Sequence, residues 1–262
     1  MDNTSTIAQR RWMGIALFML VALSFSYFFR ISPPAWYENA SLPALIAPFK
    51  RLLGAFGVFL GAVGAERLWD TTRRITLVGT SPGRSGLMIV FPIVLFAGIG
   101  VPNDSGIESH LFGGVIGLQA ALWVFLEEYG WRGYLQNELG FLPPLQRYLL
   151  VGTLWYAWHL WFLQLNPLAD PANFMANLTV GLVIILAASW GIGVVAERTH
   201  SVLASACFHM LGSFLQFNPI ITENVDQKVR WVLFTICLIF WVVILVRWPR
   251  EDKVDEAVET IS

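Results

Sequence analysis

Three short segments of the chain carry ionisable side chains inside otherwise apolar runs. The first reads Ala121-Leu-Trp-Val-Phe-Leu-Glu127-Glu128-Tyr-Gly-Trp-Arg132, the second Leu154-Trp155-Tyr-Ala-Trp158-His159-Leu-Trp161, and the third Ser205-Ala-Cys207-Phe208-His209-Met-Leu-Gly-Ser213. On a helix, Glu128 and Arg132 stand at i and i+4 with the acid N-terminal to the base, so they share a face and form an ion pair. Glu127 points about 100° away from them and has no partner on its own helix. Arg132 therefore keeps Glu128 ionised and fixed, while Glu127, less compensated and more desolvated, is the carboxylate suited to take a proton from water. The remaining histidines, His110 and His200, fall at the edges of apolar runs and read as ordinary interfacial residues.

The surroundings explain why these side chains are informative. Of 262 residues, 56% are hydrophobic and 13% charged, the latter about half the ~25% usual in soluble domains; the mean hydropathy is +0.59. Such a chain cannot cover a water-facing surface with polar groups, which excludes a soluble enzyme, a disordered chain and a nucleic-acid binder. A net charge of −1 exerts no general pull on a polyanion. The fold class that follows is all-α, a polytopic membrane protein with a bundle of about eight transmembrane helices. In that setting a charged side chain at a helix centre costs roughly 2.5–3.5 kcal/mol on insertion scales, and marks a functional site by default. Cys207 and Cys237 lie in apolar runs without Cys-x-x-Cys spacing, so neither a disulfide framework nor a cysteine metal site is expected.

The spans predicted on the length scale of a bilayer core are approximately Trp12–Phe29, Leu52–Ala65, Gly86–Val101 (with Pro92 inside it), Leu111–Glu128 and its continuation, Tyr148–Leu165, Phe174–Ala196, Ser201–Ile221 and Val229–Trp248. The first follows Arg10–Arg11 but is too long for a signal peptide and lacks a small-x-small cleavage site, so it reads as a retained helix. Assigning loops alternately to the two sides puts 12 of the 17 Lys and Arg residues on the side of the N-terminus, which predicts both termini in the cytoplasm. Residues 1–110 then hold about three helices and a cytoplasmic loop, 111–248 the core with the polar segments, and 249–262 a charged cytoplasmic tail. The stripe Gly54, Gly57, Gly61, Gly64 reads as close helix packing within one subunit.

Helix rise places the polar groups in depth. His209 lies about 12 Å and His159 about 16 Å from the cytoplasmic edge; Glu127 lies about 18 Å from the end of its helix if that helix stops near Leu139, before Gly140 and Pro143–Pro144, or about 14 Å from the edge if the membrane surface lies near Gln136. A shared layer reached from three helices points to one site.

At these residues the chain resembles the CPBP intramembrane protease family, which covers type II CAAX prenyl proteases and bacterial bacteriocin-processing or immunity (Abi) proteins. The family pattern Glu-Glu-x-x-x-Arg is matched by Glu127, Glu128 and Arg132. Phe-x-x-x-His is matched at His159, with Trp155 in the place of Phe. In the third motif, His209 is followed four residues on by Ser213, where the family has Asn or a similar polar residue. The resemblance covers about residues 111–215. It implies an endopeptidase in which Glu127 activates a water, His159 holds that water or the reacting carbonyl, and His209 polarises the carbonyl and stabilises the oxyanion. Glu128 and Arg132 would support them, as would Ser213 if its shorter hydroxyl can replace Asn.

The resemblance favours no cofactor. A zinc ion held by Glu127, His159 and His209 with an open fourth position is the alternative, although no His-Glu-x-x-His helix is present. The expected partners are a membrane-associated protein or peptide substrate and the lipid bilayer, the expected location a bacterial plasma membrane; no residue pattern specifies an oligomeric state or a prenyl pocket. Two other functions fit intramembrane Glu, Arg and His residues: an ion- or proton-coupled transporter, against which no repeat is visible, and a catalytically silent immunity or scaffold protein.

Overall fold

In lipid a backbone must satisfy its own hydrogen bonds, which leaves an apolar run of about twenty residues the α-helix. The structure, a computed structural model, describes residues 3–69, 73–160, 171–216 and 218–249. Among these residues the α-helices are α1 (Asn3–Ser26), α2 (Ala35–Glu38), α3 (Leu52–Trp69), α4 (Pro82–Ile99), α5 (Ser109–Glu128), α6 (Pro144–His159), α7 (Pro171–Thr199), α8 (Val202–Leu215), α9 (Pro219–Asn224) and α10 (Gln227–Val246). The eight expected runs correspond to α1, α3, α4, α5, α6, α7, α8 and α10. Among the described residues, six helical stretches are long and apolar enough to cross a membrane: Ala8–Ile31, Ala47–Trp69, Pro82–Ile99, Ser109–Gln136, Phe174–Thr199 and Gln227–Val246. The chain is an integral membrane protein of all-helical architecture.

The other two runs hold shorter helices among the described residues. α6 has 16 residues and α8 has 14. The run expected over 201–221 divides because Pro219 cannot continue a helix interior; it opens α9 instead, with the Asn218 side chain accepting from the Ile220 amide as its cap. The end of the fifth run, including Trp161, and nearly all of the charged tail fall outside the described residues. α4 continues through Pro92 as one helix. Two π-helical segments extend spans in a way the sequence pattern did not predict: Tyr27–Ile31 after α1 and Tyr129–Gln136 after α5. The second is followed by a turn at Leu139–Gly140, where Gly140 and the prolines predicted a stop.

The chain forms two compact units, Met1–Arg74 with Phe125–Val194, and Ile75–Val124 with Val195–Ser262. In the first unit, α1 packs on α3 at Gly57 and Gly61 of the glycine stripe, whereas a Cβ at Gly64 would meet nothing within 4 Å among the described residues. A Cβ at Gly61 would stand 2.8 Å from the Phe18 carbonyl oxygen, and one at Gly57 would meet Phe25. With no hydrophobic driving force between helices in lipid, such close backbone approach supplies the association. Aromatic rings complete this core: Phe18 meets Trp131 edge-on at 5.2 Å, Trp131 meets Trp158 at 6.0 Å, and Trp158 Nε1 donates to the Ala22 carbonyl at 3.3 Å.

The second unit has an apolar core that includes Met88, Phe96, Ile116, Met210, Phe214 and Trp241. Its helix α8 is held at the N-terminus by the segment before α4. Thr76 pairs with Ser201 in a short parallel bridge, in which the Thr76 amide donates to the His200 carbonyl and the Val202 amide to the Thr76 carbonyl. His200 adopts φ 52°, a left-handed turn between α7 and α8. Ser201 Oγ caps α8 by accepting from the Ala204 amide and lies 2.8 Å from Ser85 Oγ. Ser201→Ala removes both contacts within a buried seam, and should destabilise the protein by about 1–2 kcal/mol, visible as a lower thermal unfolding midpoint in detergent.

Candidate active site

In the first unit, the acidic pair sits where α5 gives way to the π-helical segment. Glu127 is 1% exposed, and Glu128 and Arg132 are fully buried. The expected pairing between Glu128 and Arg132 is present: Arg132 Nη1 donates to Glu128 Oε1 at 2.8 Å. Trp155 of α6 connects this ion pair to the neighbouring carboxylate. The Arg132 guanidinium lies 4.7 Å from a Trp155 ring centroid, a cation–π contact, and the indole Nε1 donates to Glu127 Oε2 at 3.4 Å. Trp155 stands where the family pattern has Phe, which carries no such donor.

The helical spacing predicts Glu127 to be less compensated than Glu128. Arg30 from the π-helical end of the first span brings Nη2 to 4.0 Å from Glu127 Oε1. The Arg30 guanidinium rests 4.4 Å from a Trp158 ring centroid. A lone Arg closing an apolar run just before Pro33–Pro34 was the available signal, but helical spacing relates Glu127 only to neighbours on its own helix.

His159 closes α6 with its ring edge-on to Trp155 at 5.2 Å and to Trp158 at 5.0 Å. Its Nδ1 lies 2.9 Å from the Trp155 carbonyl oxygen. A carbonyl only accepts, so Nδ1 carries the proton in this contact and Nε2 is the acceptor end of the ring. Glu127, Glu128, Arg132 and His159 thus all belong to the first unit. His209 and Ser213 belong to the second, on α8. His209 is buried, and Ser213 Oγ donates to the His209 carbonyl within the helix at 3.1 Å. Its hydroxyl proton is therefore used by the backbone one turn back.

Among the described residues, no group of three or more His, Cys, Asp or Glu side chains could hold a metal ion. His110, beside the chain reversal before α5, sets Nδ1 2.9 Å from the Ala97 carbonyl oxygen. Beyond the fourth span, Glu138 lies 3.6 Å from Arg11; burial pushes its carboxyl above the ordinary range and Arg11 opposes that shift.

Removing one member of the buried pair strands the other. Arg132→Met should destabilise the protein by about 3–5 kcal/mol, and adding Glu128→Leu should recover most of that loss. A double-mutant cycle of thermal unfolding in lipid nanodiscs measures both.

Residues 109–215 match a family model described as type II CAAX prenyl endopeptidase Rce1-like. Comparison with curated proteins and with solved structures finds no match. The matched stretch begins with α5, ends with α8, and contains each of the sequence motifs from Glu127 to Ser213. Over residues 109–215 this chain is similar to the Rce1-like type II CAAX prenyl endopeptidases, a family of peptidases.

Proposed function

We propose that the protein is an intramembrane endopeptidase that hydrolyses a peptide bond of a membrane-associated protein or peptide by a glutamate-activated water. The observation that carries this reading is Glu127, a carboxylate 1% exposed within the segment that matches a peptidase family. Burying such a group is costly, and general-base catalysis gives that cost a use.

In the proposed reaction, Glu127 takes a proton from water as the water oxygen bonds to the scissile carbonyl carbon. His159 accepts a hydrogen bond from that water at Nε2, since Nδ1 faces the Trp155 carbonyl. His209 donates to the developing oxyanion. As the tetrahedral intermediate collapses, the C–N bond breaks and the proton held by Glu127 passes to the departing amine. Ser213, whose hydroxyl donates to the His209 carbonyl, steadies α8 beside His209 and is not assigned as the oxyanion donor. Glu128 and Arg132 hold the π-helical segment in place.

This reading needs no metal. Both termini lie in the cytoplasm on this reading, and the membrane is a bacterial plasma membrane. The substrate class follows the family: a C-a-a-X protein or another membrane-delivered peptide.

The test uses the protein in lipid nanodiscs with a fluorogenic farnesylated C-a-a-X peptide and its unprenylated counterpart. Glu127→Gln should lower kcat by about a hundredfold or more while the protein stays folded, with a cooperative thermal unfolding transition. Excess phenanthroline should leave wild-type turnover unchanged. Undiminished turnover in Glu127→Gln removes the proposed base; loss on chelation with recovery on added zinc replaces the metal-free mechanism.

A further inference from the structure

We infer that Arg30 is a positioning residue for Glu127, bringing the first membrane span, outside the segment that matches the family, into the control of the proposed base. The inference rests on the assignment of Glu127 as that base. An arginine at the end of a span ordinarily extends its guanidinium toward water, leaving only the aliphatic stem along apolar surface. Arg30 does the opposite. Its side chain is 10% exposed, and Nη2 stands 4.0 Å from Glu127 Oε1.

Three features hold it there. The π-helical segment Tyr27–Ile31 alters the register at the end of the span. Trp158 supplies the ring face against which the guanidinium rests. Gly54 of α3 supplies space: a Cβ at that position would stand 2.9 Å from Arg30 Cδ and collide with Nε as well. Arg30 is therefore fitted into the unit rather than lying over its surface.

The two oxygens of Glu127 then meet different elements, Oε1 facing Arg30 and Oε2 accepting from Trp155 Nε1. The contrast with its neighbour is informative. Glu128 is bound by Arg132 through a direct 2.8 Å bond, whereas 4.0 Å is an ion-pair separation without a direct hydrogen bond. In a buried setting that separation still carries a strong field. Arg30 thus orients the Glu127 carboxylate without engaging it as fully as Arg132 engages Glu128. Misplacing a catalytic group by about 1 Å can cost about a hundredfold in rate, so the effect should fall on kcat.

Arg30→Gln, Arg30→Lys and Gly54→Ala are compared with wild type and Glu127→Gln in nanodiscs, with the farnesylated peptide. Arg30→Gln should lower kcat about ten- to a hundredfold with KM within about twofold of wild type, and Arg30→Lys should recover part of that loss. Gly54→Ala keeps the charge but displaces it, and should lower kcat in the same manner; it decides the matter if Arg30→Gln fails to fold. Infrared difference spectra against Glu127→Gln read the Glu127 carboxylate directly, and its band should shift in Arg30→Gln and in Gly54→Ala. An unmoved band overturns the inference whatever the turnover. So does unchanged kcat, or a rise in KM alone, which would mark Arg30 as a substrate contact. Full turnover in Glu127→Gln would instead remove the base assignment, while the infrared band still decides whether Arg30 holds that carboxylate.

Discussion

Two adjacent carboxylates buried in a membrane-spanning helix must be offset by positive charge, and the first unit is organised around meeting that requirement. Glu128 is matched on its own helix by Arg132. Glu127, one residue earlier, points elsewhere and meets Arg30 from a different span. Two tryptophans of α6 lie beneath these cations, Trp155 under Arg132 and Trp158 under Arg30. Indole faces suit this place because they are apolar toward lipid and neighbouring helices yet attract a guanidinium electrostatically. The same α6 ends in His159, so the element that steadies the charges also presents the imidazole.

Close packing makes this possible. The glycines of α3 let the first span approach within backbone contact at Gly57 and Gly61, and at Gly54 the missing side chain is the space filled by Arg30. A single stripe of small residues therefore does two jobs, one mechanical and one electrostatic. The π-helical segments have a similar double character. Each continues an α-helix and itself carries one of the two buried arginines, Arg30 or Arg132, and i to i+5 bonding there gives a register that an unbroken α-helix would not have.

The second unit solves a different problem. α8 is too short to cross a bilayer by itself at 14 residues, and its orientation comes from its N-terminus. The Thr76–Ser201 bridge, the left-handed His200 and the Ser201 cap fix where that helix starts. His209 is two turns further on. Hydropathy alone reads the region through Ile221 as one apolar run; Pro219 cannot continue a helix interior, and the Asn218 cap starts a new helix there.

What the sequence determined by itself was the local and the periodic: the helical membrane class, the approximate spans, the Glu128–Arg132 pair at i and i+4, the stop near Leu139 and the family motifs. Each depends on spacing along one segment, and hydrophobic length or helical geometry converts spacing into structure directly. Only the tertiary structure decided that Arg30 turns inward to Glu127, that Trp155 donates its indole proton to that carboxylate, and that Gly54 makes the room. Those contacts join residues 97 and 28 positions apart in the chain, where no helical repeat relates them. Packing between helices, which in lipid depends on the fit of individual side chains more than on apolarity, sets that partnership.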